Sequence, residues 1–331
     1  MRAYLVKFNQ ALIVALSCSC LFFVATTVFA MQPFRIGTAG KTGVYYPIGT
    51  LIAQSLTLQA QQQGSRLGEL IGVPQNSAGS IENVKGVVAG DIEAGLVQAN
   101  IASFAHNSQP PFDKTNPNTS IRAIASLYSE KFQIIVRNDA GITNFEDIKN
   151  KKISVDEQGS GTLAVMRILL DAYGMTENDF HPLYLKPVFI EDKIKNGQVQ
   201  GFVNMAGAPM KAVTQLYETG ISLVSIDPVV ASQVHEKYPY LLPGKIEENI
   251  YNGIPEITTL EVYALLVVDD SMSEEMAYSI TEMLFNKQTA KLLSDGHPQG
   301  RSITLETALD GISIPLHPGA RCFYQRKNLI D

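Results

Sequence analysis

The chain has 331 residues, 45 % of them apolar, and a formal net charge of −6. An acidic balance of this kind excludes a nucleic-acid partner, which needs Lys and Arg to neutralise phosphates. The length suffices for a hydrophobic core without covalent staples and favours division into two domains.

Arg2 and Lys7 precede a long apolar run from Ala11 to Ala30, and Val28-Phe29-Ala30 is a loose small-x-small exit. That pattern describes a secretory signal peptide over residues 1–30, with a mature start near Met31 and export to the periplasm. An uncleaved membrane anchor is the alternative, because the run is about as long as the ~20 residues that span a bilayer. Lipidation at Cys18 or Cys20 is disfavoured, since neither has a Leu three residues upstream. Cleavage would remove two positive charges and no negative one, taking −6 to −8, and would leave Cys322 as the one cysteine. An internal disulfide is then impossible, and Cys322 reads as a packed small side chain.

Beyond Ala30, short apolar runs alternate with amphipathic segments, the pattern of an α/β chain with mainly parallel sheets. Phe34–Thr38 reads as a strand, and Pro47 opens a helix, where its missing N–H does no harm. Ser80 is placed as the N-cap of a helix that runs to Ala89 and ends at Gly90-Asp91. Ala94–Gln98 is a further strand. The middle repeats the alternation, with a strand at Lys152–Val155 and a helix over Thr162–Tyr173 closed by Gly174. A strand at Gly201–Met205, a helix over Pro209–Thr219 and a strand at Ile221–Ser225 follow. Met276, Ile280, Met283 and Leu284 recur at helical spacing and mark a buried face. Two longer apolar stretches, Ile121–Val136 and Thr258–Val268, are long enough to leave one sheet and enter another. If both cross over, the chain forms a hinged molecule with a cleft. Residues 31–128 with 263–331 would then make lobe I, and residues 129–262 lobe II.

The densest motif is GTAGKTGVYYPIG, residues 37–49, which follows a strand and opens a helix. Backbone N–H groups and the helix dipole at such a turn bind anions, and the glycines permit close approach. A nucleotide P-loop needs a glycine five residues before Gly40, where this chain has Arg35. Of Tyr45 and Tyr46, adjacent at a helix start, one is expected to face the cleft. Gln158-Gly159-Ser160-Gly161-Thr162 joins strand to helix and offers the same anion-binding physics. It is not a nucleophile elbow, because Gln158 stands where the first glycine belongs. Ser80 and Asn83 lie one helical turn apart, and Gln98 ends a strand where α/β folds place ligand contacts. Ala206-Gly207-Ala208-Pro209 again joins strand to helix. His106, His181, His235, His297 and His317 show no paired ligand spacing, so neither a metal nor another cofactor is expected. No acid/base pair stands out beyond the charges of a solvated surface, and no enzyme activity is expected.

Taken together, IGTAGKTGVYYPIGTLIA, SAGSIENVKGVVAGDIEAGLVQAN and IRAIASLYSEKFQIIVR resemble successive blocks of the TAXI family of solute receptors, which serve tripartite (TRAP-type) transporters. DEQGSGT, KYPYLLPGKI and ISIPLHPGARCFY extend the resemblance, in order, through the rest of the chain. It implies a periplasmic, two-lobed α/β receptor, a monomer, that closes on a small organic anion or amino acid such as glutamate, glutamine or a related dicarboxylate. Delivery would be to a TRAP membrane permease driven by an ion gradient. Carried over by position, the implied ligand contacts are Thr38, Ala39, Gly40, Thr42, Gly43, Tyr45, Tyr46, Ser80, Asn83, Gln98, Ser160, Gly161, Thr162 and Gly207. Ala99-Asn100 departs from the Ser-Asp that members of that family often carry; if an acid there contacts a ligand amine in those relatives, its loss favours a ligand without one. The same fold could also serve a membrane-anchored sensory domain or an exported enzyme.

Overall fold

A computed structural model describes residues 31–41, 43–112 and 120–331. The expected signal segment, Cys18, Cys20 and Thr42 lie outside the described residues. Strand β1 (Gln32–Gly37) feeds the glycine-rich loop and helix α1 (Tyr45–Ala60). Strand β2 (Leu70–Gln75), helix α2 (Ser80–Ala89), strand β3 (Ala94–Gln98) and helix α3 (Ala99–His106) follow. Gly90 ends α2 in the left-handed conformation, φ 74°, as its sequence position suggests.

The long strand β4 (Ile121–Arg137) leads to β5 (Lys152–Ser154), α4 (Gly161–Ala172), β6 (His181–Leu183), α5 (Ile190–Lys195) and β7 (Gly201–Ala206). Next come α6 (Lys211–Thr214), β8 (Ile221–Leu223), α7 (Pro228–Lys237) and β9 (Leu242–Ile246). The second long strand, β10 (Ile257–Asp269), precedes α8 (Glu274–Leu284), α9 (Lys287–Gly296) and α10 (Pro318–Arg326).

The class is α/β, and the strands join one ten-stranded mixed sheet in the order β2-β1-β3-β10-β4-β7-β5-β6, with β8 on β4 and β9 on β10. The flanking groups are parallel, β1 with β3 and β5 with both β6 and β7. The two long strands run antiparallel to each other and to their neighbours. Each meets one set of strands at one end and another set at the other. The Ile121 end of β4 pairs with β10, and Lys131–Val136 pairs with β7. Ala264–Val268 of β10 pairs with β3, and Ile257–Glu261 with β9. Alternation along β10 sends Ala264, Leu266 and Val268 into one apolar cluster and Leu265 and Val267 into another, so the sheet is covered on both faces.

Two elements differ from the sequence reading. Gly79, with φ 110°, takes the cap position of α2, and Ser80 is its first helical residue. The helix expected over Pro209–Thr219 contracts to α6 and a 3₁₀ turn at Tyr217–Thr219. Tertiary hydrogen bonds hold its start extended: Gln299 Nε2 donates to Ala208 O at 2.7 Å, and Met210 N donates to Tyr251 Oη at 2.8 Å.

Candidate functional site

Four helix N-termini open onto one cavity. Gly43, Val44 and Tyr45 at the start of α1, Gly79 and Ser80 at the start of α2, Gln98 before α3, and Ser160–Thr162 at the start of α4 all line it. The first turns of α1, α3 and α4 carry no acidic residue, so their partial positive ends are not neutralised by their own sequence. The empty volume is about 550 Å³, part of it open to solvent.

Short polar side chains brace these ends. Ser160 caps α4, its Oγ accepting from Leu163 N at 3.1 Å. Thr162 Oγ1 accepts from Met205 N at 3.2 Å and ties α4 to β7. Ser80 Oγ accepts from Gln98 N at 3.0 Å, which ties α2 to the end of β3. At Gly161 an added Cβ would overlap Gln98 Oε1, the tip of a flexible side chain. That oxygen is buried and has no partner among the described residues.

The cavity floor is acidic. Glu130, 2 % exposed on β4, accepts from Tyr45 Oη at 3.3 Å. Burial pushes its carboxyl up to about 8, against the opposing pull of hydrogen bonds from Gln98 and Tyr45. Burial likewise holds the Tyr45 and Tyr128 hydroxyls well above the usual phenol range, and Tyr128 Oη has no partner among the described residues. Asp156, in the left-handed region at φ 68°, and Glu157 complete the wall. Both titrate above the ordinary carboxyl value because of burial. Hydrogen bonds from Glu157 N, Thr162 and Ser160 oppose the rise at Asp156, and the Lys186 charge opposes it at Glu157. No Lys, Arg or His is found among the described lining residues. Nor, among the described residues, is any group of three His, Cys, Asp or Glu placed to hold a metal ion.

Of the residues singled out in the sequence, Ala39, Gly40, Gly43, Tyr45, Ser80, Gln98, Ser160, Gly161 and Thr162 meet at this cavity. Four described ones do not line it. Thr38 is buried, and its hydroxyl donates to Gln75 O at 2.7 Å. Tyr46 is half-buried outside the lining, with Lys41 Nζ 5.5 Å from its ring centroid. Asn83 faces the core, donating to Thr38 O at 2.7 Å and Leu96 O at 2.8 Å while accepting from Ser77 Oγ at 2.7 Å. Gly207 packs beneath the Gln299 side chain, one residue beyond the lining Ala206. Sequence reasoning missed Glu130, Asp156, Glu157 and Asn204. Asp156 and Glu157 carried a signal, since they stand just before the glycine-serine loop already singled out.

The chain is thus an α/β protein in which several helix N-termini line one cavity. By its sequence, the chain belongs to the NMT1-like family, which it matches over residues 36–327. In fold it is similar to a protein of solved structure from Bordetella bronchiseptica RB50, at 14 % identity over 90 % of this chain and 82 % of that one, TM-score 0.53. It is also similar to a binding protein component of an ABC phosphonate transporter from Pseudomonas aeruginosa, at 12 % identity over 80 % and 79 %, TM-score 0.50. The periplasmic aliphatic sulphonate binding protein from Escherichia coli aligns over 91 % and 95 % at 14 % identity, TM-score 0.47. At such identities the likeness speaks for the fold, and function has to be argued from the site.

Proposed function

We propose that the chain is an extracytoplasmic solute receptor that binds a small organic anion or amino acid in this cavity and hands it to a membrane permease. The observation that carries this reading is the convergence of four helix N-termini, three of them without first-turn acids, on one cavity. Such ends supply N–H donors and positive potential for a carboxylate, sulfonate or phosphonate. Membership of the NMT1-like family and the transporter component among the fold relatives support the reading. The resemblance to TAXI receptors favours a TRAP-type permease, an ion-driven partner, over an ATP-driven one.

The mechanism is closure of two lobes, residues 31–128 with 263–331 and residues 129–262, about β4 and β10. Support comes from the pairing of each long strand with different partners at its two ends. The cavity takes α1, α2 and β3 from the first set of residues, and Glu130, α4 and β7 from the second. A ligand that touches both sets binds the closed form better and draws the population towards it. The N-terminal segment fits export to the periplasm.

A melting-temperature screen of the exported protein against carboxylates, amino acids, sulfonates and phosphonates tests this function. The protein is first unfolded and refolded to strip carried-over ligand. A compound at one hundred times its Kd stabilises the fold by about 2.7 kcal/mol, a shift of roughly 5–11 °C at ~2–4 °C per kcal/mol. No shift across all four classes overturns the receptor reading.

A further inference from the structure

The cavity that attracts anions with its helix ends is walled elsewhere by carboxyl groups, and one class of ligand reconciles the two. We propose that its floor is a subsite for a positively charged N–H donor, an ammonium or amidinium group, received by the Glu130 carboxylate and Gln98 Oε1. The proposal rests on the receptor reading above and narrows its ligand to zwitterions: an anionic end on the helix N-termini and a cationic end on the floor.

Three observations meet here. Gln98 Oε1 is a buried acceptor with no donor, a group that costs about 1–3 kcal/mol unless a ligand or water satisfies it. Glu130 stands beside it, 2 % exposed, held only by the neutral side chains of Gln98 and Tyr45 among the described residues. The charges around the cavity then decide the sign of the missing partner. Tyr45, itself hydrogen-bonded to Ser80 of α2, faces Glu130 from α1, Tyr128 from its own strand, and Gln98 from β3. Asp156 and Glu157 lie across the cavity, Glu157 within 3.9 Å of Lys186. Lys131, next along β4, is engaged by Glu261 of β10. Among the described lining residues there is no cation, and Lys186, outside the lining, reaches Glu157 but neither Glu130 nor Asp156 within ion-pair distance.

An empty floor of this kind keeps Glu130 in its protonated form at neutral pH, because burial has pushed the carboxyl up to about 8. An arriving ammonium reverses that balance. Its charge favours the carboxylate, the Glu130 proton leaves to the buffer, and an N⁺–H···O⁻ pair forms in its place. Capture at neutral pH therefore releases about one proton per ligand, and affinity for the zwitterion rises between about pH 6 and pH 8.

The test uses matched probes that differ only in the donor: L-glutamate with 2-hydroxyglutarate, L-alanine with L-lactate, taurine with 2-hydroxyethanesulfonate, and 2-aminoethylphosphonate with 2-hydroxyethylphosphonate. Each is titrated into the refolded protein by calorimetry, in two buffers of different ionisation enthalpy. The expected result is that, for at least one pair, the amine member binds about tenfold or more tighter and releases a proton. Glu130→Gln should then shrink the ratio between the two members and abolish the proton release. The wild-type buffer comparison decides the matter even if that variant folds poorly. Equal or tighter binding of the hydroxyl member, or amine binding without proton release, overturns the subsite and leaves the receptor reading standing. Failure of every probe to bind would overturn the receptor reading, and the subsite with it.

Discussion

Replacing both Ser160 and Thr162 by Ala is the sharpest probe of how the cavity is built. On sequence grounds alone these hydroxyls read as ligand contacts, so their loss should weaken binding and spare the fold. The structure predicts a cost to stability instead. Ser160 Oγ is the acceptor that caps α4 through Leu163 N, and loss of a Ser cap costs about 0.5–2 kcal/mol. Thr162 Oγ1 is the acceptor for Met205 N, which is buried with it, and stranding such a donor costs about 1–3 kcal/mol. The two residues also share Asp156 as a hydrogen-bond partner, so their effects should not add fully. We expect a combined loss of about 2–4 kcal/mol, which at ~2–4 °C per kcal/mol lowers the melting temperature by roughly 5–15 °C. Calorimetric melts of the ligand-free protein measure it. Ser160→Asp should restore the cap at α4, since Asp caps about as well as Ser. A double variant that melts within about 1 °C of the wild type would refute the assignment of these hydroxyls to the scaffold.

Gly161→Ala should separate stability from function, because its added Cβ meets only the tip of the Gln98 side chain, which can rotate aside. The melting temperature is expected to stay nearly constant while affinity for a bound panel compound falls about tenfold, and unchanged affinity would remove Gln98 from the floor. Asn83→Ala should do the reverse, removing the side-chain donor to Leu96 O at a destabilisation of about 1–3 kcal/mol while Ser77 Oγ still donates to Thr38 O, with ligand affinity preserved in the folded fraction. Glu130 also sets a pH dependence. Its carboxyl lies near 8 when folded against 4.5 for a free glutamate side chain, so between these limits the folded state holds the extra proton. Stability from this group is therefore present below about pH 4.5 and lost as pH rises towards 8, a difference of several kcal/mol. Urea melts of Glu130→Gln across that window should show a flatter profile than the wild type, and parallel profiles would contradict the burial argument.

Much of the site was legible because glycine-rich turns between a strand and a helix announce both their geometry and their free N–H groups. Gly40, Gly43, Ser160 and Gly161 were found that way, and they line one cavity. The errors share a physical origin in contacts between distant parts of the chain. Ser80 looks like a cap because Ser caps helices, but its hydroxyl is taken by Gln98 N, eighteen residues on, and Gly79 enters the helix in its place. Asn83 was correctly set one turn from Ser80, yet its amide bonds Thr38 O and Leu96 O and braces the loop from behind.

Glu130 shows the limit most clearly. Between Ser129 and Lys131 in an alternating strand, a glutamate reads as one more charge of a solvated surface. What buries it is the meeting of four segments that no local pattern connects. Register places Gln98 and Tyr128 on either side of Ala264 of β10, so Gln98 reaches the floor from β3. Tyr45 covers Glu130 from α1, and the loop before α4 closes the far wall with Asp156 and Glu157. The chemistry of the site therefore divides by origin. The anion-binding turns are local and readable, and the acidic floor exists only once β3, β4 and β10 are side by side. A reading limited to the turns predicts an anion receptor. With the floor included, the proposed ligand also brings a positive charge of its own, which displaces the proton of Glu130 and answers the orphaned Gln98 Oε1.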